Sequence, residues 1–118
     1  MRARIIVSLS LVLLLAITLG CIGASNDAKD NLAKCLTSKG VKMYGAYWCP
    51  HCANQKQVWG SSFKYIDYVE CDPNGANANP QACKDAGISG YPTWIINGLK
   101  YPGEEDLGTL AKLAGCKY

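Results

Sequence analysis

Histidine occurs once in these 118 residues, at His51, and no second short cysteine pair accompanies Cys49 and Cys52. A zinc site built on that pair would want two further ligands. Cys71 and Cys83 are too widely spaced to form a second short knuckle, and His51 lies inside the first pair, so no metal site is expected. Charge of one sign is also scarce. The formal net charge is +3, but both arginines, Arg2 and Arg4, stand at the start, and from Cys21 onward ten lysines face nine acids. Such a balance offers no basic face to a nucleic acid. Internal repeats are absent, and the length leaves room for one domain, since domains of this kind need about 100 residues. Any activity must therefore fit inside one compact unit.

What is present begins with an export pattern. Arg2 and Arg4 precede an apolar run from Ile5 to Ile17, broken by Ser8 and Ser10, and Thr18, Leu19 and Gly20 lead into Cys21. A positive start before an apolar core reads as a secretory signal. Residues 1–24 are thus either a signal peptide or, if retained, a membrane anchor; roughly 20 apolar residues suffice to span. Thr18-Leu19-Gly20-Cys21 resembles a lipoprotein signal, which makes Cys21 a candidate lipidation site. The expected location is extracytoplasmic (periplasm, cell surface or lumen), with the chain secreted or tethered to the membrane through its N-terminus. Seven cysteines suit an oxidising compartment. Setting Cys21 aside leaves six, whose pairing spacing alone does not fix.

The folded domain is expected over residues 27–118. Ala28, Leu32, Ala33, Cys35 and Leu36 recur at helical spacing between Asp27 and Lys39, and Gly40 supplies a stop. Val41 to Tyr47 reads as a strand running into Trp48-Cys49-Pro50-His51-Cys52, where Pro50 fits the first turn of a helix reaching Gly60. Phe63 to Glu70 reads as a second strand, and Cys71 to Asn79 as a loop rich in turn residues. Pro80 to Ala86 is a short helix. Thr93–Ile96 and Leu99–Tyr101 form a hairpin across Asn97-Gly98, a strong hairpin signal. Glu104, Glu105 and Asp106 suit the positive end of a last helix, from about Asp106 to Ala114.

Two cysteines three apart at a helix start can close a short disulfide and open it again without refolding. Cys49, at the helix N-terminus, sits where the dipole favours a thiolate and is the candidate nucleophile. Cys52, one turn further in, would resolve the mixed disulfide formed with a substrate. Pro50 and His51 lie between them and are the candidate thiolate-tuning residues. The imidazole of His51 would stabilise the Cys49 thiolate, favour the reduced form and so strengthen the couple as an oxidant.

The Trp48-Cys49-Pro50-His51-Cys52 motif after a strand, with Gly90-Tyr91-Pro92-Thr93 before a hairpin, resembles the thioredoxin family. The implied fold is α/β: a minimal thioredoxin fold with a central mixed β-sheet flanked by helices and no large insertion. The resemblance implies that Pro92 is cis, faces the active cysteines and cradles substrate, with Tyr91 offering backbone groups to an extended substrate strand. If exposed around the cysteines, Tyr47, Trp48 and Tyr91 would suit peptide docking, which makes Trp48 a further candidate for substrate binding. Lys34-Cys35-Leu36-Thr37, the run from Lys42 to Cys52, Tyr68-Val69-Glu70-Cys71-Asp72-Pro73 and Gly90 to Trp94 look more closely like the thioredoxin-like domain fused to bacterial and plant vitamin K epoxide reductase homologues, over about Leu32 to Leu113. That likeness implies a Cys71–Cys83 disulfide. It also implies a membrane redox partner, either vitamin K epoxide reductase-like or another quinone-linked enzyme. Cys35 and Cys116 are left over and either pair or remain buried thiols. Typical thioredoxins carry a buried acid six residues before the first active cysteine; Met43 stands there here, against a cytosolic-style general reductase.

The expected function is a thiol–disulfide oxidoreductase acting on protein thiols and disulfides without a cofactor, as oxidase or isomerase. The alternatives are a reductase delivering electrons to an exported partner, a copper(I)-delivery module, since soft thiolates select that ion, and a structural interaction domain whose Cys49–Cys52 bridge stays closed.

Overall fold

The computed structural model describes residues 24–118. Residues 1–23 of the expected signal or anchor, Cys21 among them, lie outside the described residues, and its last residue, Ala24, begins α1. Nine elements follow one another: helix α1 (Ala24–Ser38), strand β1 (Lys42–Gly45), helix α2 (Pro50–Trp59), a 3-10 segment (Gly60–Tyr65), strand β2 (Tyr68–Glu70), helix α3 (Pro80–Asp85), strands β3 (Thr93–Ile96) and β4 (Leu99–Pro102), and helix α4 (Leu107–Ala114). No helix among the described residues is long and apolar enough to cross a membrane.

The four strands make one mixed sheet in the order β2-β1-β3-β4. β1 runs parallel to β2, with Met43 opposite Tyr68 and Gly45 opposite Glu70, and antiparallel to β3, with Met43 opposite Trp94. β3 turns into β4 across Asn97 and Gly98, both with positive φ, as a tight two-residue hairpin requires.

Side chains alternate across a strand, so β1 feeds two apolar layers. Met43 joins Leu32, Leu36, Trp59, Trp94, Ile96 and Leu110 in the larger core. Tyr44 packs on the opposite face with Cys71 and Cys83, where α3 lies. The arrangement is a minimal thioredoxin-like fold, a sheet between helices.

One sequence expectation is overturned. Phe63 to Tyr65 is not strand: the chain leaves α2 at Gly60, whose φ is +58°, and turns through the 3-10 segment, so that strand begins at Tyr68. The Ser62 hydroxyl donates to Asp30 at 2.6 Å and that of Thr37 donates to the Tyr65 carbonyl at 2.7 Å, tying the turn to α1. These contacts satisfy polar groups that a strand would have placed in a ladder. At the last helix Asp106 alone is the N-cap, accepting from the backbone N–H of Thr109 at 2.8 Å. Hydrogen bonds from the Thr109 hydroxyl and backbone hold its carboxyl below the usual range.

Two disulfides brace the fold. Cys71, just past β2, is bonded to Cys83 on α3, and Cys35 on α1 to Cys116 beyond α4. The second bond joins cysteines that sequence reasoning left open, and it follows from the packing of α1 against α4.

Candidate active site

β1 ends at Gly45, and the chain turns through Ala46 to Trp48 before α2 begins. Cys49 is the N-cap residue of α2, in extended conformation at φ −77° and ψ 121°, and Pro50 occupies the first turn, where its missing N–H leaves no bond unmade. Cys49 N–H donates to the Ala46 carbonyl at 3.1 Å, and the Cys49 carbonyl accepts from Ala53 N–H at 3.0 Å, which fixes the cysteine at the helix start. Cys49 and Cys52 are the free cysteines among the described residues. Cys49 keeps 6% of its surface exposed and Cys52 only 1%.

Burial pushes the Cys52 thiol up to about 11. Hydrogen bonding from the Ala46 backbone and the positive charge of Lys56 pull the other way, while the neighbouring Cys49 adds to the rise. Cys52 therefore holds its proton through neutral pH until another atom or bond change removes the need for it.

The peptide between Tyr91 and Pro92 is cis and enters β3 beside the cysteines. Cys49 Sγ donates to the Tyr91 carbonyl at 3.6 Å. The Trp48 ring meets that of Tyr91 edge-on, with centroids 6.1 Å apart, and its indole N–H donates to Asp72 at 2.7 Å. Tyr47 and Trp48, which directly precede Cys49, are both more than half exposed, at 56% and 57%.

His51 faces solvent in the first turn of α2. Its Nδ1 pairs with Glu104 Oε2 at 2.7 Å, out in solvent. Glu104, which the sequence suggested only as a charge for the last helix, thus reaches the start of α2. Fifty-three positions separate the two, and no local pattern connects them.

Four further residues border the site without having been picked out. Gln55 is buried one turn past Cys52. Lys56 Nζ lies 4.1 Å from the centre of the Tyr68 ring. A Cβ on Gly45 would meet Cys52 Sγ at 2.9 Å and Tyr68 at 3.0 Å, so the end of β1 has room for the thiol because position 45 lacks a side chain. Only the β1–β2 register brings these groups together. Cys71 and Cys83 stand apart, bonded to each other in the second apolar layer.

Among the described residues no group of three or more His, Cys, Asp or Glu side chains could hold a metal ion. Met43, the methionine that would suit a copper(I) site, is wholly buried in the larger core.

No family model matches the chain. A curated relative does. Over 88 residues the chain is 49% identical to the thiol-disulfide oxidoreductase LTO1 of Arabidopsis thaliana. The match covers 71% of this chain and 23% of that protein, so the chain spans less than a quarter of the relative.

Proposed function

We propose that the chain is an extracytoplasmic thiol–disulfide oxidoreductase that uses Cys49 and Cys52 as its redox couple on protein substrates, as an oxidase or isomerase. The observation that carries this reading is the contrast among the described cysteines. Four are locked in disulfides, while Cys49 and Cys52 are free at a helix start beside Tyr91 and Pro92. The name of the plant relative and its identity over most of this chain support the same chemistry.

In the oxidising direction a substrate thiolate attacks Cys49 Sγ of the closed pair. The Cys49–Cys52 bond breaks, and Cys52 leaves with the electron pair and takes up a proton. A second substrate thiolate then attacks the substrate sulfur of the mixed disulfide, and Cys49 leaves as thiolate. Two electrons pass from the substrate to the couple. The high proton affinity of Cys52 suits its part, because a buried thiolate there is quickly quenched. The Tyr91 carbonyl, already in reach of Cys49 Sγ, is placed to accept from a substrate backbone once the thiol proton is gone. Trp48 and Tyr91 supply aromatic surface for an extended peptide.

Turnover needs an oxidant for the reduced pair. The resemblance to domains fused to vitamin K epoxide reductase homologues supports a quinone-linked membrane enzyme in that role. The N-terminal export pattern and the two disulfides support a location outside the cytoplasm, with a tether at the N-terminus.

The reduction potential of the couple tests the reading. The protein is equilibrated in glutathione buffers beside a Cys49→Ala control. A value near about −120 mV supports the oxidase or isomerase, one near about −270 mV makes it a reductase, and a pair that never opens leaves a structural bridge.

A further inference from the structure

Tyr68 and Glu70 are two apart on β2 and so share one face of the strand. That face looks along the β1–β2 ladder toward the resolving cysteine. A Cβ placed on Gly45 would lie 2.9 Å from Cys52 Sγ and 3.2 Å from the Tyr68 hydroxyl oxygen, so both atoms close on the bare backbone of position 45. β1 offers no polar side chain there, since Met43 stands opposite Tyr68 and Gly45 opposite Glu70.

The Tyr68 hydroxyl is buried and has no hydrogen-bond partner among the described residues. Native interiors rarely leave such a group unpaired, and where they do a functional demand is one explanation. The ring is held from behind: Lys56 Nζ sits 4.1 Å from its centre and Phe63 packs against it, with ring centroids 5.7 Å apart. Burial, then the negative charge of Glu70 and of Cys52 and Cys49, push the phenol well above its ordinary range; the Glu70 carboxylate also attracts the O–H without completing a hydrogen bond, so the phenol remains a donor at any working pH. The titratable groups around Cys52 are thus Cys49 at the cap of its helix, Lys56 on that helix and Tyr68 from β2, while Glu70 acts on Tyr68.

We propose that Tyr68 assists the resolving step, its free O–H donating to Cys52 Sγ as that sulfur becomes a thiolate. The inference rests on the reading of Cys49 and Cys52 as a redox couple. In the reducing direction Cys52 gives up its proton and attacks Cys49 Sγ of the mixed disulfide. The Cys49–substrate bond breaks, and the substrate sulfur leaves with the electron pair and takes up a proton. Tyr68 keeps its own proton throughout; its contribution is a hydrogen bond that exists only while negative charge is on Cys52. The same bond stabilises Cys52 as the leaving group when the couple is the oxidant. Gly45 is then a positioning residue, since a side chain there would press on both sulfur and hydroxyl.

The test follows the full-length protein, its Cys49–Cys52 pair reduced and its other disulfides intact, as it reacts with a chromogenic aryl disulfide. Attack by Cys49 releases one chromophore, and resolution by Cys52 releases a second. In Tyr68→Phe the first phase should keep its rate and the second should slow on the order of tenfold, the effect of losing one hydrogen bond to a charged atom. The unfolding midpoint should be unchanged or higher, because the hydroxyl has no partner to lose in the resting protein. A second phase within about twofold of wild type overturns the proposal. So does a uniform slowing of both phases with a lowered midpoint, which would mark Tyr68 as structural. If the wild type itself never shows the second phase, the redox couple fails and Tyr68's role falls with it.

Discussion

Gln55 Oε1 accepts from the indole N–H of Trp94 at 3.2 Å and from the backbone N–H of Glu105 at 2.7 Å, while its Nε2 donates to the Glu105 carbonyl at 2.9 Å. One buried amide thereby joins α2, β3 and the segment that carries Glu104 to His51. Replacing it with leucine keeps the volume but leaves an indole N–H and two backbone groups unpaired. Gln55→Leu should cost about 2–4 kcal/mol, as unpaired buried groups of this kind do. Denaturant unfolding measures it, and a loss below about 0.5 kcal/mol would show that the amide is dispensable.

The raised Cys52 thiol predicts a pH dependence with a definite sign. In the unfolded chain the thiol loses its proton near 9.0, and in the folded chain near about 11. The folded state holds the proton more tightly, so this contribution is complete below pH 9.0 and is lost as pH rises toward about 11. Tyr68 acts in the same sense, beginning above its ordinary 10.0. With the Cys49–Cys52 pair reduced, stability should therefore fall between pH 9 and 11 more steeply than in Cys52→Ala. Equal slopes would mean that Cys52 is not desolvated in the native state.

The two structural disulfides should differ in weight. Cys35–Cys116 joins residues 81 apart and Cys71–Cys83 residues 12 apart. Loop entropy alone gives about 4.5 kcal/mol for the first and about 3 kcal/mol for the second. Removing both cysteines of the long bridge as alanines should lower the thermal midpoint further than removing both of the short one. The reverse order would place the main effect in the packing of Tyr44 and α3 instead.

Gly45→Ala should destabilise the protein by about 1–3 kcal/mol, the usual effect of a methyl forced into a filled interior. Its Cβ would press on Cys52 Sγ at 2.9 Å and the Tyr68 ring at 3.0 Å. Alkylation of Cys49 in the variant should keep its rate if the disturbance stays at Cys52, and trapping with iodoacetamide measures this. A Cys49 slowed as much as the fold is weakened would mean that the whole helix start has moved.

Much of the fold was legible where the signal is local. Pro50 at a helix start, Gly40 at a helix end and Asn97-Gly98 in a hairpin each act through their own backbone, and all three stand where expected. The placement of Cys49 at a helix start and Cys52 one turn on follows from the same kind of local signal. Phe63 and Tyr65 misled because their alternation is as compatible with a short 3-10 turn as with a strand, and Ser62 decides between them by reaching Asp30 across the fold. His51 with Glu104, Cys35 with Cys116, and Tyr68 with Cys52 are meetings between distant segments, made by sheet register and helix packing. No pattern within any one segment announces them.

The bond between Cys35 and Cys116 has a topological effect beyond its stability. It closes most of the domain into a covalent ring, and the two free cysteines, Cys49 and Cys52, lie on that ring. The largely exposed loop of residues 72–79 lies on it too, and is spanned again by Cys71–Cys83. A protease that cuts this loop releases nothing and leaves the ring closed, because Cys71–Cys83 bypasses the cut. The clipped protein would run as one chain in a denaturing gel and come apart only when a reductant strong enough to open both bridges is added, so fragments would reveal the redox history of the compartment as much as the cut itself.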